Sequence, residues 1–295
     1  MTARFDNPDR AREWCDEVHE RRATLGFVPT MGALHEGHLS LIERARAEND
    51  SVCASVFVNP LQFDERSDFE RYPRDFERDA LLLERAGCSM VFTGTLEQFF
   101  PGRVRHDGTL DPRALLAPGE SAAGLEGELR PGHFAGVATI VARLFEIVTP
   151  TRAYFGAKDF QQTLVVRDLV RERGGPEIRV CPTVREPSGL ARSSRNERLT
   201  PAQRETATAL ARALENARSA WRAGERDPAR LGETMRGVLA RAAISVEYAT
   251  VRDPERWTSA EPRRPLERAV ALIAARVDGV RLIDNMRLDR DGGAA

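Results

Sequence analysis

Leu25-Gly26-Phe27-Val28-Pro29-Thr30-Met31-Gly32-Ala33-Leu34-His35-Glu36-Gly37-His38 is the stretch on which the fold turns. An apolar run, Leu25–Pro29, gives way to a polar turn carrying glycines, and an amphipathic stretch, Leu39–Asn49, follows it. A short apolar run leading into a helical period reads as a strand that enters a helix through a tight turn. The same unit recurs outward along the chain. Apolar runs stand at Val52–Val58, Met90–Thr93, Ala153–Phe155 and Ile178–Thr183, with helical patterns at Arg74–Ala86, Gly136–Val148 and Gln161–Glu172 between them. Such alternation predicts an α/β domain over residues 1–184, built on a parallel sheet with helices on both faces. Gly102–Gly132 interrupts the rhythm, being rich in Gly, Pro and small residues, and reads as a wall or lid.

From Arg185 the pattern changes. Thr200-Pro201 sets an N-cap and a first-turn proline ahead of a helix reaching about Ala223, and a second helix is predicted over Pro228–Ala242. Three strand-like runs follow at Val246–Val251, Ala269–Arg276 and Val280–Ile283, the last two joined by the hairpin signal Asp278-Gly279. Residues 185–290 therefore read as a smaller C-terminal α+β domain acting as a lid, with 291–295 as a tail. Charge excludes some partners. The 44 basic and 45 acidic residues nearly cancel, so no net field favours nucleic acid or an anionic membrane. No apolar run reaches the ~20 residues of a membrane span, and the first ten residues are too polar for a leader. Cys15, Cys53, Cys88 and Cys181 lie far apart without metal or redox spacing. A cytoplasmic, reduced protein is the expectation.

Four polar clusters each fall just after a predicted strand: Thr30–His38, Asn59–Phe63, Gly156–Gln162 and Arg185–Asn196. In an open parallel sheet the carboxyl ends of the strands form the ligand crevice, so these segments converge on one site. The first has the glycine spacing of a phosphate-binding loop, but His38-Leu39 replaces the Lys-Ser/Thr that grips phosphate and magnesium. Its histidines are three apart with Gly37 between them, which does not suit a zinc helix. What is left is His-x-Gly-His at a helix start, a place for the phosphates of ATP. Lys158 offers a point charge for phosphate and Asp159 an acceptor for ribose hydroxyls. Ser193, Ser194 and Arg195 follow a Gly-containing turn and suit a loop closing over a triphosphate. Asn59 and Gln62 carry amides without charge, and with Met31 and Phe57 as apolar walls they suit a small branched hydroxy acid.

Taken together these clusters resemble the pantothenate synthetase family of the His-x-Gly-His nucleotidyltransferases, whose sheet is Rossmann-like. Pro29–His38, Phe57–Phe63, Arg71–Arg74, Arg130–Phe134, Phe155–Gln162, Ser193–Asn196 and Arg281–Asn285 match its signatures in order. The resemblance implies ATP-dependent condensation of pantoate with β-alanine through a pantoyl-adenylate. It implies that Met31, Gly32, Ala33, Leu34, His35, Glu36, Gly37 and His38 line the ATP site, with His38 as proton donor and His35 on phosphate. Gly156, Ala157, Lys158 and Asp159 would hold ATP, Val184 would touch the adenine region, and Arg192 to Arg195 would form a mobile phosphate loop. Gln62 and Gln162 would bind pantoate, Gln62 also lying near β-alanine, with Asn59 and Tyr72 alongside. Mg2+ would accompany ATP, with Asp79 as a nearby carboxylate, and a homodimer is implied. Two departures stand out: Ala157 where the family has Glu, and Arg192 where Met or Leu precedes Ser-Ser-Arg. Competing readings are a nucleotidyltransferase acting on a phosphate-bearing acceptor, which uncharged Asn59 and Gln62 oppose, and an RNA-binding module, which the balanced charge opposes.

Overall fold

A computed structural model describes residues 2–242 and 244–290, so the expected tail at 291–295 lies outside the described residues. The chain divides into two compact units. The first comprises Met1–Ala122, Glu126–Gly156 and Gln161–Cys181; the second comprises Ala123–Leu125, Ala157–Phe160 and Pro182–Ala295.

Unit 1 runs β1 (Ala3–Phe5), α1 (Pro8–Glu20), β2 (Leu25–Thr30), α2 (Glu36–Glu48), β3 (Ser51–Val56), α3 (Arg66–Arg71), α4 (Phe76–Arg85), β4 (Met90–Phe92), α5 (Leu96–Phe99), α6 (Glu126–Leu129), α7 (His133–Val148), β5 (Arg152–Gly156), α8 (Phe160–Arg173) and β6 (Glu177–Cys181). Its six strands lie in the order β1-β4-β3-β2-β5-β6, all parallel. From β2 the chain steps outward to β3 and β4, then returns to the far side of β2 with β5. The order therefore reverses between β2 and β5, the place where such sheets bind ligands. Alternation of side chains explains why β2 reads as a continuous apolar run. Phe27 packs with α1, α7 and α8 residues such as Cys15, Val141 and Val165. Its neighbour Val28 packs with Leu41 and Ile42 of α2 and Leu83 of α4 on the opposite face.

Gly102–Gly132 is tied down along its length. Leu116 N–H donates to Thr139 Oγ1 at 2.9 Å, Ser121 N–H to Asp168 Oδ2 at 2.9 Å, and Gln161 Nε2 to Ser121 O at 3.0 Å. These bonds make it a wall resting on α7 and α8.

Unit 2 contains α9 (Pro201–Arg222), α10 (Pro228–Arg241) and an antiparallel sheet of β7 (Ser245–Arg252), β8 (Val270–Val277) and β9 (Val280–Arg287) in that order. Thr200 caps α9 through a reciprocal pair with Gln203. Asp278 and Gly279 both take positive φ, 48° and 85°, which the two-residue hairpin between β8 and β9 requires. Alternate apolar residues of β8, Ala271, Ile273 and Ala275, share a core with Leu210 and Leu214 of α9 and Met235 of α10.

Candidate active site

The turn after β2 is shaped by three hydrogen bonds, two of them to a residue far away in the chain. Thr30 Oγ1 accepts from Gly32 N–H at 3.2 Å. Asp79, at the start of α4 and 1% exposed, accepts from Ala33 N–H at 2.8 Å and Leu34 N–H at 2.9 Å, one on each carboxylate oxygen. Gly32 needs φ +81°, and a Cβ there would lie 2.7 Å from Asp79 Oδ2. Burial raises the Asp79 carboxyl above its ordinary value, against the two amides that lower it. Each Asp79 oxygen accepts one backbone amide, an arrangement that holds the loop and leaves a second lone pair on each oxygen.

The histidines themselves begin α2. His35 is the N-cap, its Nδ1 accepting from Gly37 N–H at 3.1 Å, while His38 Nδ1 accepts from His35 N–H at 3.3 Å. Each Nδ1 thus serves as a lone-pair acceptor, which places the ring hydrogen of each on Nε2. The rings stand 4.2 Å apart by centroid. Two imidazole donors held by a reciprocal cap at a helix N-terminus form a site for anionic oxygens.

Strand β3, beside β2 in register from Leu25↔Ser51 to Thr30↔Val56, delivers the second turn. Asn59 is 1% exposed; its Oδ1 accepts from Leu61 N–H at 3.2 Å and its Nδ2 donates to Gln62 Oε1 at 3.0 Å and Gly136 O at 3.2 Å. The Asn59 amide is used within the turn, and it positions Gln62. Phe57 turns inward, 4.5 Å from Phe99 by ring centroids, and packs in the core. Tyr72 packs edge-on against Phe63 at 5.5 Å. Met31, half-buried, opens the turn after β2, and Gln162, also half-buried, lies in the first turn of α8 after β5.

The Gln62 carbonyl is gripped by Arg130, between α6 and α7, and His133, the first residue of α7, which the sequence singled out but gave no role. His133 Nδ1 lies 2.8 Å from Gln62 O and Arg130 Nη2 donates to the same oxygen at 3.1 Å. A carbonyl only accepts and a guanidinium only donates, so His133 carries its hydrogen on Nδ1 and takes Arg130 Nη1 on Nε2 at 3.2 Å. Burial, then the charge of Arg130, lowers His133 to about 4, which keeps it neutral near pH 7. Arg130 is itself anchored to Asp64 at 3.0 Å, and although burial pushes the Asp64 carboxyl up, Arg130 outweighs it and holds it low.

Lys158, Asp159, Val184 and Arg192–Arg195 belong to unit 2. Lys158 is half-buried, its Nζ 3.5 Å from Asp159 Oδ1. Pro187-Ser188-Gly189 makes a tight hairpin: Gly189 N–H donates to Glu186 O at 2.8 Å with φ +88° at Gly189, and Glu186 N–H donates to Leu190 O at 2.8 Å. The hairpin closes through Arg192 N–H to Val184 O at 2.9 Å and leads into Ser193, whose Oγ accepts from Arg195 N–H at 3.3 Å. Arg192 is drawn toward Glu186, 3.6 Å away, and that carboxylate also holds Arg204 at 2.9 Å and the Asn196 amide at 3.1 Å.

Comparison with known proteins gives the following. The family model described as pantoate-beta-alanine ligase matches residues 3–287. A pantothenate synthetase of Chloroflexus aggregans is 49% identical over 281 residues, covering 95% of this chain and 96% of the relative. The crystal structure of pantothenate synthetase from Thermus thermophilus superposes with a TM-score of 0.87 at 42% identity, over 98% of this chain and 100% of its own. That of pantoate-beta-alanine ligase from Francisella tularensis, complexed with β-γ ATP and β-alanine, gives 0.79 at 32% identity, over 99% of each chain.

Proposed function

Because this chain belongs to the pantoate-β-alanine ligase family, its activity is the ATP-dependent joining of pantoate to β-alanine, and we propose the following roles for its residues. A pantoate carboxylate oxygen attacks the α-phosphorus of ATP. The bond from that phosphorus to the bridging oxygen of the β-phosphate breaks, releasing pyrophosphate and leaving pantoyl-adenylate. The β-alanine amine then adds to the activated carbonyl and loses a proton, and the carbon–oxygen bond to AMP breaks.

No protein nucleophile is needed, so catalysis rests on alignment and on stabilising charge at phosphorus. His35 and His38 present Nε2–H donors to phosphate oxygens, His38 being the proton donor. Met31 to His38 and Gly156 to Asp159 line the nucleotide, Lys158 on phosphate, Asp159 on ribose and Val184 by the adenine. The Arg192–Arg195 loop receives the pyrophosphate through Ser193, Ser194 and Arg195, with Arg192 drawn to Glu186. Gln62 and Gln162 hold pantoate, with Met31 against its methyl groups, and Gln62 also lies by β-alanine.

Mg2+ arrives as part of the substrate, on the ATP phosphates. Among the described residues no group of three or more His, Cys, Asp or Glu is placed to hold a metal. Among them, too, no helix is long and apolar enough to cross a membrane. A cytoplasmic homodimer completes the proposal, and sedimentation at micromolar concentration checks its dimeric part.

The observation that carries this reading is the reciprocal His35–His38 cap at the end of β2, next to the Gln62 turn at the end of β3. The test is AMP release from MgATP by the purified protein with pantoate, β-alanine, both or neither. Rapid turnover is expected only with both acids. Equal turnover without pantoate would mean that the Gln62 turn has been misassigned.

A further inference from the structure

Arg281–Asn285 stood out in the sequence, yet nothing in the chemistry above uses it. In the structure this segment lies on β9, and two of its residues reach toward the phosphate-handling segments of unit 2. Asn285 is 7% exposed, and its Nδ2 donates to two successive carbonyls, Ala157 O at 2.9 Å and Lys158 O at 2.7 Å. Both amide hydrogens are therefore engaged on the short turn that carries Lys158. A carboxylate of the same shape would set oxygen against oxygen there. Its neighbour Asp284 is 3% exposed and takes the Arg185 guanidinium through both oxygens, at 2.7 and 3.0 Å. Arg185 also donates to Gly189 O at 3.0 Å, inside the hairpin that leads into Arg192–Arg195.

Two consecutive side chains on one rigid strand thus fix both segments. We propose that Asn285 and Asp284 are positioning residues for the phosphate-binding groups: Asn285 sets Lys158, and Asp284, through Arg185, sets the hairpin that leads into Arg195. The inference rests on the phosphate role given to Lys158 and Arg195 above. Placing a cation within a fraction of an ångström decides how much developing charge it stabilises, and a 1 Å error costs on the order of 10²-fold.

A double-mutant cycle tests it, because a residue that acts through Lys158 has no effect once Lys158 is gone. Pyrophosphate release is followed in a single turnover, with enzyme in excess over MgATP, saturating pantoate and no β-alanine. Measurements cover the full-length wild type, Asn285→Ala, Lys158→Ala and the double variant, each well below its own unfolding midpoint. Asn285→Ala is expected to slow release on the order of 10- to 100-fold, and the double variant to be no slower than Lys158→Ala. Equal slowing by Asn285→Ala in both backgrounds would overturn the inference while leaving the role of Lys158 intact. A Lys158→Ala enzyme as fast as wild type would remove that role, and the inference with it. Should Asn285→Ala not fold, Asn285→Asp keeps the shape and loses the donors, and the same cycle is read with it. The companion cycle pairs Asp284→Asn with Arg195→Ala, where additive losses would overturn the second half.

Discussion

Gly136→Ala is the perturbation whose consequence the structure sets most narrowly. In an ordinary helix interior this change stabilises by about 1 kcal/mol, because glycine loses more backbone freedom on folding. Gly136, in the first turn of α7, is where that helix meets the Asn59–Gln62 turn. A Cβ at this position would stand 2.1 Å from Leu61 O, 2.4 Å from Leu61 C and 2.8 Å from Gln62 N. Backbone atoms cannot swing aside as a side chain can, so the turn must retreat by about 1 Å to regain ordinary contact. Overpacking of this kind costs about 1–3 kcal/mol, enough to reverse the helical gain. The retreat also pulls at two bonds that hold Gln62, Asn59 Nδ2 to Gly136 O at 3.2 Å and His133 Nδ1 to Gln62 O at 2.8 Å. His133 and Gly136 are three apart and share one helix face, so both ends of the grip move together. The expected enzyme is folded, and its kcat/KM for pantoate falls on the order of 10²-fold while KM for ATP changes little. Steady-state titration of each substrate, alongside thermal unfolding, measures both. Unchanged pantoate kinetics, or a rise in KM for ATP as large as that for pantoate, would refute the reasoning.

Acid stability should report on His133. Its folded state resists protonation until about 4 while the unfolded chain takes the proton near 6.5, so stability present above 6.5 is lost as pH falls toward 4. The loss amounts to about 2 kcal/mol by about pH 5, and urea denaturation at neutral and acid pH should show it in wild type but not in His133→Asn; parallel losses would contradict it. Asp79→Asn leaves one acceptor for two amides and turns an NH2 against the other, so a loss of about 1–3 kcal/mol and a raised KM for ATP are expected; an unaltered KM would mean that the loop holds itself. Arg192→Met should alter stability by less than about 1 kcal/mol and KM for ATP by less than about fivefold, since Glu186 keeps Arg204 and Asn196. A larger change in KM would assign Arg192 a direct hold on phosphate.

The strands of the parallel sheet were legible where burial on both faces writes an apolar run, as in β2 and β3, and β2 through β6 follow the runs read in the sequence to within a residue or two. Two helix starts were read late. α2 begins at Glu36, ahead of Leu39, because its cap is an imidazole, which is not among the usual capping side chains. α7 begins at His133, ahead of Gly136, behind a left-handed Gly132 that reads as loop. The N-terminal β1 and α1 were missed altogether: three residues carry no period, and polar residues outnumber apolar ones in α1. A signal was nonetheless present there, Asn7-Pro8 as cap and first turn, with Ala11, Cys15 and Val18 on one buried face.

The site divides in the same way. His35, His38 and Gln62 drew notice because unusual residues cluster just after strands, and the structure sets them at the ends of β2 and β3. Asp79 was read as a metal carboxylate, yet it meets its amides from 45 and 46 residues away. His133 reaches Gln62 from 71 residues away, and Asn285 reaches Lys158 from 127. Local pattern marks which residues are unusual; only the tertiary fold decides which of them face a substrate and which hold the ones that do.

The central claim is that the pantoate carboxylate is activated on the α-phosphorus of ATP. Pantoate carrying 18O in both carboxylate oxygens tests it in one turnover with MgATP and β-alanine. One labelled oxygen should leave with AMP and the other stay in the amide carbonyl of the product. AMP without label, or label found in pyrophosphate or phosphate, would contradict it.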